Sequence, residues 1–206
     1  MDIIILGSGA FAKEAYDWII QSGHNVIGFF SSIPSEIKTL RGLPVYFDAK
    51  HIPKNAQWII GTGNVVAMEN LVKAVSDYIA PSKAIIHPSC ILGNNVNIGN
   101  GSIICPMSII TTDININSCV VINIACTIGH DCVIGDFVHI APNTSLSGYT
   151  KIGSFCEIGT SVSTIPNIEI VDRCIIGAGS VITVNLPEAG LYVGVPAILK
   201  KKFLND

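Results

Sequence analysis

Residues 122–140 read INIACTIGHDCVIGDFVHI, and an isoleucine returns at every sixth position of this stretch. The sixfold spacing continues from Ile86 to Ile182, where sixteen of the seventeen anchor positions are Ile or Leu and the other is Thr164. A random aliphatic background would not stay in phase over these 97 residues. The spacing predicts a hexapeptide repeat, and therefore a parallel β-helix whose stacked coils bury one another's faces.

Two other positions of the hexad predict the shape of the coil. Glycine follows the anchor in several hexads, as in Ile128-Gly129 and Ile134-Gly135, and we expect it at tight corners between short faces. The fourth residue after the anchor is small or β-branched, as at Val120 and Thr144, which suits a narrow interior. This pattern is typical of a left-handed β-helix of triangular cross-section, with about 18 residues per coil and between five and six coils.

The seven cysteines form no C-x-x-C pair and are odd in number, which predicts reduced thiols in a cytoplasmic protein. Five of them occupy the small fourth position and are expected to fill the core: Cys90, Cys126, Cys132, Cys156 and Cys174. A covalent acyl-cysteine would need a neighbour that stabilises its thiolate. Cys132 is close to His130 in sequence, but its hexad phase points inward, so we expect no nucleophilic cysteine.

Residues 1–80 follow a different pattern, that of an α/β unit. Strand candidates are Asp2–Leu6, Val26–Phe30 and Trp58–Ile60, and helices are expected over Phe11–Gln21 and from about Val65 to Tyr78. Alternation of strands and helices predicts a small parallel sheet with right-handed crossovers. We therefore predict a Rossmann-like domain over residues 1–80, followed by the β-helix with a C-terminal tail over residues 84–206.

Composition excludes several function classes. The chain has 206 residues, a formal net charge of −3 and no run of Lys or Arg, which argues against nucleic-acid binding. No apolar stretch approaches the roughly 18–20 residues that span a bilayer, and the start of the chain lacks the basic region of a secretion signal. We therefore expect a cytoplasmic protein without a membrane or nucleic-acid partner.

The motifs resemble those of bacterial sugar acyltransferases of the hexapeptide-repeat superfamily. The likeness is carried by the hexads, by His87-Pro88-Ser89, by the segment Gly129–His139 and by Gly194-Val195-Pro196-Ala197. The two-domain layout is similar to the group containing bacillosamine N-acetyltransferase and the sialic acid O-acetyltransferases. The resemblance implies acetyl-CoA as donor, a homotrimer with active sites between subunits, and a sugar or nucleotide-sugar acceptor.

His130 is the leading candidate for a general base, because an imidazole accepts protons near neutral pH and a carboxylate beside it can fix its tautomer. The resemblance gives Asp131 that supporting role in a direct transfer of the acetyl group. The alternative is a surface histidine at a coil corner.

The resemblance also places acetyl-CoA against His139, Gly148, Thr160 and Ala178, with a backbone N–H near Gly148 stabilising the negative charge on the thioester oxygen. His130 and His139 are nine residues apart, half of one coil, and should lie on different sides of the prism. If both serve one site, a neighbouring subunit must provide one of them. His139 could instead pack at the trimer seam.

Substrate contacts are expected in the first domain. Gly7-Ser8-Gly9-Ala10 resembles a phosphate-binding turn between strand and helix. Ala12 fits a dinucleotide fingerprint, but Ser31-Ser32 stands where the carboxylate for NAD would be. The resemblance implies substrate contacts at Gly9, Ala10, Phe11, Ser31, Ser32, Gly61, Asn64 and Asn123. Bacillosamine-type relatives have a histidine and two aspartates where Phe11, Ser31 and Ser32 stand, so the nucleotide stays open. Asn123 could instead belong to an asparagine ladder.

Three functions follow from these motifs. The first is N-acetylation of a nucleotide-linked amino sugar for a bacterial surface glycan, and the second is O-acetylation of a sialic-acid-like sugar. The third is a non-catalytic β-helix scaffold that binds a nucleotide. A zinc site would need three converging histidines, which the spacing of His87, His130 and His139 does not provide, so we expect no metal.

Overall fold

A computed structural model describes residues 1–203, so the last three residues of the predicted second domain lie outside the described part of the chain. The first domain contains two helices, α1 (Ala10–Gln21) and α2 (Val65–Val75), and a 3-10 turn at Ala49–His51. Its six strands are β1 (Asp2–Leu6), β2 (Asn25–Phe30), β3 (Thr39–Leu40), β4 (Leu43–Tyr46), β5 (Gln57–Ile60) and β6 (Ala80–Pro81). The predicted α/β unit is confirmed.

The sheet of the first domain has the order β3-β4-β2-β1-β5-β6, and every neighbouring pair is parallel except β3 with β4. The central strand β1 is fully buried from Ile3 to Leu6, because helices and neighbouring strands surround it. The sequence did not predict β3, β4 or β6, since strands of two to four residues are too short to display a period.

The second domain is built from short strands that follow one another every six residues. They are β7 (Ile85–Ile86), β8 (Ile91–Leu92), β9 (Val96–Ile98), β10 (Ile103–Ile104), β11 (Ile109–Ile110), β12 (Ile114–Ile116), β13 (Val121–Ile122), β14 (Thr127–Ile128), β15 (Val133–Ile134), β16 (His139–Ile140), β17 (Ser145–Leu146), β18 (Lys151–Ile152), β19 (Glu157–Ile158), β20 (Ser163–Thr164), β21 (Glu169–Ile170), β22 (Ile175–Ile176), β23 (Val181–Ile182), β24 (Gly190–Val193) and β25 (Ile198–Lys202).

Strands β7 to β24 form three parallel sheets, which are the three faces of a prism, and β25 pairs antiparallel with β24. Face 1 contains β7, β10, β13, β16, β19 and β22, and β24 and β25 extend it. Face 2 contains β8, β11, β14, β17, β20 and β23, and face 3 contains β9, β12, β15, β18 and β21. Ile103 pairs with Ile85, which confirms a coil of 18 residues. The left-handed β-helix predicted from the hexads is confirmed.

The interior of the prism is filled by the anchors and by the small fourth residues. Ile104, Ile122, Ile140 and Ile158 are essentially inaccessible to solvent. Predicted core cysteines are confirmed at Cys126, Cys132, Cys156 and Cys174, which are also inaccessible, whereas Cys90 in the first coil is only partly buried. Each coil buries the side chains of the coils stacked on it. The first coil has a neighbouring coil on one side only, so its interior side chains are less buried.

The glycines after the anchors have a different role from the one expected. A Cβ on Gly129 would lie 2.6 Å from the backbone nitrogen of Gly148, and one on Gly135 would lie 2.7 Å from the backbone of Gly153. They therefore allow adjacent coils to approach closely. The left-handed backbone of each corner falls two residues later, often on a non-glycine residue such as Asp131 (φ 59°).

Face 1 is covered by the first domain. Trp58 lies over Gly101, and the backbone N–H of Ile60 donates to the Gly101 carbonyl at 3.2 Å. Phe137 and Phe155 stack with ring centroids 5.1 Å apart and pack against the apolar core of the first domain. Face 2 and face 3 are left open in the single chain, which places their corners within reach of a ligand or of another chain.

Candidate active site

His130 lies at the corner between face 2 and face 3, between β14 and β15. We call the stacked corner residues 112–113, 130–131 and 148–149 the His130 corner. The Nδ1 atom of His130 lies 2.8 Å from Oδ2 of Asp131, and the His130 side chain is 55% exposed. A carboxylate accepts hydrogen bonds, so this contact assigns the proton to Nδ1 and leaves Nε2 as a free basic nitrogen.

Gly148, one coil further on, makes room for the imidazole of His130. A Cβ at residue 148 would stand 2.6 Å from both Cε1 and Nε2 of His130. The ring therefore rests directly over the glycine, and any larger residue would displace it. Within residues 1–203 the backbone N–H of Gly148 has no acceptor. The imidazole therefore rests over a residue whose N–H has no acceptor in the described part of the chain.

At the corner between face 3 and face 1, three backbone N–H groups at positions equivalent to Gly148 do have acceptors. We call residues 118, 136, 154 and 172 the Asp136 corner. Asp136 accepts the N–H of Ser118 at 2.9 Å, Ser154 Oγ accepts that of Asp136 at 3.1 Å, and Asp172 accepts that of Ser154 at 2.8 Å. Each of these donors is satisfied by a side chain of the next coil.

Three of the four predicted acetyl-CoA contacts divide between two corners, and the fourth, His139, lies in a strand. Thr160 and Ala178 lie one coil apart at the corner between face 1 and face 2, at the opposite edge of face 2 from Gly148. Their backbone N–H groups also have no acceptor in the described part of the chain. The loop Gly194–Ala197 packs beside them, since Gly194 N–H donates to Ser180 Oγ at 3.0 Å.

His139 is separated from His130, as the half-coil spacing predicted, and lies in β16 on face 1. Its ring sits under Gly63 of the first domain, where a Cβ would be 2.6 Å away, and 6.4 Å from the ring of Phe11. Burial lowers the pKa of His139 to about 4, so the imidazole is neutral at pH 7. Its Nε2 atom is buried without a partner in the described residues. His139 therefore lies at the interface between the two domains.

A cavity of about 210 Å³ opens at the carboxyl ends of β1, β2 and β5. Six of the predicted substrate contacts line it together: Gly9, Ala10, Phe11, Ser31, Ser32 and Gly61. All lining residues are uncharged. Helix α1 begins at this cavity, with Gly9 as N-cap and no side chain capping its first turn. Such a position is typical of ligand sites in open α/β sheets.

The other two predicted substrate contacts do not line this cavity. Asn64 caps α2, because its Oδ1 accepts the N–H of Ala67 at 2.8 Å. Asn123 is 7% exposed at the corner between face 1 and face 2, where its Oδ1 accepts the N–H of Ile124 at 2.8 Å. Both amides thus satisfy backbone donors of their own segments.

Two neighbours of the predicted residues were not foreseen. Glu157 of β19 accepts the N–H of Val65 at 3.2 Å, so a side chain of the prism caps a helix of the first domain. Tyr149 packs against His130, with ring centroids 5.1 Å apart and planes at 89°. The hexad phase could have located Tyr149, since it is the corner residue one coil after Asp131, but it does not show which side chains touch.

The thiol nearest to the candidate base lies in the core. Cys132 is fully buried, its Sγ donates to the Ser147 carbonyl at 3.3 Å, and burial raises its pKa. Burial also raises the pKa of Cys126 to about 11. These two thiols are protonated at neutral pH, which does not favour a nucleophilic role for either of them.

A larger groove of about 750 Å³ lies near the C-terminal end of face 3 and contains none of the predicted site residues. Lys151 and Arg173 line it together with Glu169, Asp172 and Glu188, and Glu188 forms an ion pair with Lys202. Across residues 1–203 no helix is long and apolar enough to cross a membrane.

Comparison with known proteins agrees with the two-domain description. Residues 2–75 match the family described as PglD N-terminal domain. WeeI from Acinetobacter baumannii AYE is 28% identical with a TM-score of 0.87, over 97% of this chain and 100% of that one. PerB from Caulobacter crescentus, solved with CoA and GDP-perosamine, is 25% identical with a TM-score of 0.88, over 97% of each chain.

The acetyltransferase domain of PglB from Neisseria gonorrhoeae FA1090 has the same fold, with 24% identity and a TM-score of 0.87 over 97% of this chain and 99% of that one. Both domains of this chain thus have counterparts in one and the same set of proteins. The resemblance to hexapeptide-repeat sugar acyltransferases, which the motifs predicted, is therefore confirmed.

Proposed function

We propose that this protein transfers the acetyl group of acetyl-CoA to the amino group of a nucleotide-linked sugar destined for a bacterial surface glycan. The observation that carries the proposal is the geometry of the His130 corner. There the imidazole of His130, oriented by Asp131 at 2.8 Å, rests over Gly148, whose N–H has no acceptor in the described residues. The similarity to PerB, whose structure contains CoA and GDP-perosamine, supports the choice of substrates.

The chemistry is a direct transfer. The sugar amine attacks the thioester carbonyl of acetyl-CoA while Nε2 of His130 takes its proton. The C–S bond then breaks, and the imidazolium returns this proton to the thiolate, so that CoA leaves as the thiol and the base is restored. Negative charge develops on the carbonyl oxygen, and the free N–H of Gly148 is a suitable donor for it. Asp131 stabilises the imidazolium that forms and keeps the ring in its productive tautomer.

Coenzyme A would bind along the opposite edge of face 2. Free N–H groups at Thr160 and Ala178 are donors for the amide carbonyls of its pantetheine arm, and the Gly194–Ala197 loop forms one wall. These residues and His130 lie at different corners of a single chain. We therefore propose a homotrimer in which the His130 corner of one chain meets the edge with Thr160 of the next. In this arrangement His139, at the interface between the two domains, would contact the acetyl-CoA bound at the edge with Thr160.

The nucleotide of the acceptor would occupy the cavity of the first domain. The uncapped start of α1 offers backbone N–H groups to a diphosphate, because a helix N-terminus attracts anions. Ser31 and Ser32 line the cavity at the end of β2. The Ser31 hydroxyl donates to the Ile33 carbonyl at 3.0 Å, so Ser32 is the better hydroxyl donor for the nucleoside, and neither side chain is charged.

Purified full-length protein should release CoA thiol when acetyl-CoA is mixed with the correct member of a panel of UDP-, dTDP- and GDP-linked amino sugars. Mass spectrometry should find one added acetyl group that survives alkaline hydroxylamine, since an amide resists this reagent and an ester does not. Light scattering should give three chain masses.

Two outcomes would contradict the proposal. Transfer only to free sialic-acid-like sugars, with a hydroxylamine-sensitive product, would establish O-acetylation instead. No thiol release with any acceptor would favour a nucleotide-binding scaffold. A cytoplasmic location stays a prediction.

A further inference from the structure

Tyr149 occupies an unusual backbone position beside the candidate base. It is the corner residue one coil after Asp131, and its φ of 60° is in the left-handed region. The other non-glycine residues in this conformation along the same corner are Asn95, Asp113, Asp131 and Asn167, all short and polar. Asn and Asp tolerate this conformation better than bulky residues do. Tyrosine interrupts the series only in the coil that follows His130.

Core packing does not explain the tyrosine. Phe137 and Phe155 also have positive φ, but their stacked rings pack against the first domain. Tyr149 is 50% exposed and belongs to neither apolar core. Its ring instead meets the His130 imidazole almost perpendicularly, with centroids 5.1 Å apart, and its backbone N–H donates to the His130 carbonyl at 2.9 Å.

We infer that Tyr149 is a positioning residue that holds the imidazole of His130 in the orientation required for proton transfer. This inference rests on the proposed role of His130 as base. Asp131 restrains the ring at Nδ1 and Gly148 lies beneath it, yet the side chain is more than half exposed. A perpendicular aromatic contact supplies the missing restraint on ring rotation, because such pairs attract specifically. The inference assigns the effect to the ring of Tyr149 and not to its hydroxyl group.

Two substitutions separate the ring from the backbone conformation. Tyr149→Phe keeps the ring and should retain kcat within about twofold. Tyr149→Asn installs the residue type found at positions 95 and 167, so the corner should fold at least as well. It should lower kcat about three- to tenfold, the rate equivalent of one aromatic edge contact. The KM values for both substrates should be unchanged.

A double substitution links the effect to His130. In a His130→Ala background, Tyr149→Asn should cause no further loss, because residues that act through one another are not additive. Unchanged kcat for Tyr149→Asn, or an equal loss in Tyr149→Phe, would overturn the inference even if His130→Ala is inactive. An active His130→Ala variant would instead refute the base assignment itself, so the two failures are distinguishable.

Discussion

The His130 corner and the Asp136 corner are built from the same hexad, yet they use their polar groups in opposite ways. At the Asp136 corner, carboxylates and a hydroxyl accept the backbone donors of the preceding coil. At the His130 corner, the carboxylate of Asp131 turns to an imidazole, and the N–H of Gly148 is left without an acceptor in the described residues.

The difference separates a structural corner from a functional one. Satisfied backbone donors stabilise the stack, since an unmade hydrogen bond costs free energy. The half-exposed imidazole of His130 is instead available to a ligand. Substitutions at the two corners should therefore have different readouts, with catalysis affected at one and stability at the other.

The largest effect is expected for His130→Ala. Loss of a general base typically lowers the rate by about 10²–10⁴-fold, and we expect about a thousandfold decrease in CoA release. Because the side chain is half exposed, the free energy of unfolding should change by less than about 0.5 kcal/mol. His51→Ala removes an exposed histidine of the first domain and serves as control. Full activity of the His130 variant would contradict the proposed function.

Gly148→Ala is expected to reduce kcat about a hundredfold, because the new methyl group would lie 2.6 Å from the imidazole and displace the base. Gly135→Ala is the matched change near the Asp136 corner, where the methyl group would meet the backbone of the next coil at 2.7 Å. It should lower the melting temperature and leave the kcat of the folded protein unchanged. A Gly148 variant that keeps full activity would show that the ring position is not critical.

His139 on face 1 is a buried histidine, in contrast to the half-exposed His130, and it should affect the pH dependence of stability. Its folded-state pKa of about 4 lies below the unfolded value of 6.5, so the unfolded chain binds a proton first as pH falls. The free energy of unfolding should therefore decrease between pH 6.5 and 4 by about 2 kcal/mol, given the partial exposure of the ring. Urea unfolding at several pH values measures this slope. His139→Phe should remove most of it, and an unchanged slope would assign the effect to other groups.

The smallest effects are expected for two matched carboxylate changes. Asp131→Asn removes the charged partner of the His130 imidazole and should lower kcat about tenfold without loss of stability. Asp136→Asn weakens two hydrogen bonds to the preceding coil and should lower the free energy of unfolding by about 1 kcal/mol, with kcat unchanged. If both variants changed kcat and the free energy of unfolding alike, the two corners would not differ in function.

The sequence was sufficient for most of the fold because its two periods are unambiguous. Sixfold spacing predicted the coil of 18 residues, and strand–helix alternation predicted the first domain. The reason for glycine after the anchor was wrong, because a hexad pattern cannot separate a residue that turns the chain from one that lets coils approach. The short strands β3 and β6 carry too few residues to display a pattern.

Prediction of the site was less complete. Six substrate contacts from the resemblance line one cavity, whereas Asn64 and Asn123 satisfy backbone donors instead. Motif matching identifies a residue type at a position, but an asparagine at a turn has local N–H groups within reach that compete for its oxygen.

The order of residues along the chain determined the prism, its period and the half-coil separation of His130 from His139, since these depend only on spacing. The burial of His139 under Gly63, the cap from Glu157 to α2 and the packing of Tyr149 on His130 depended on the folded structure. Each of these contacts joins residues from different domains or different coils. Distances between stacked coils and docked domains are set by side-chain packing in three dimensions, which a one-dimensional period does not encode.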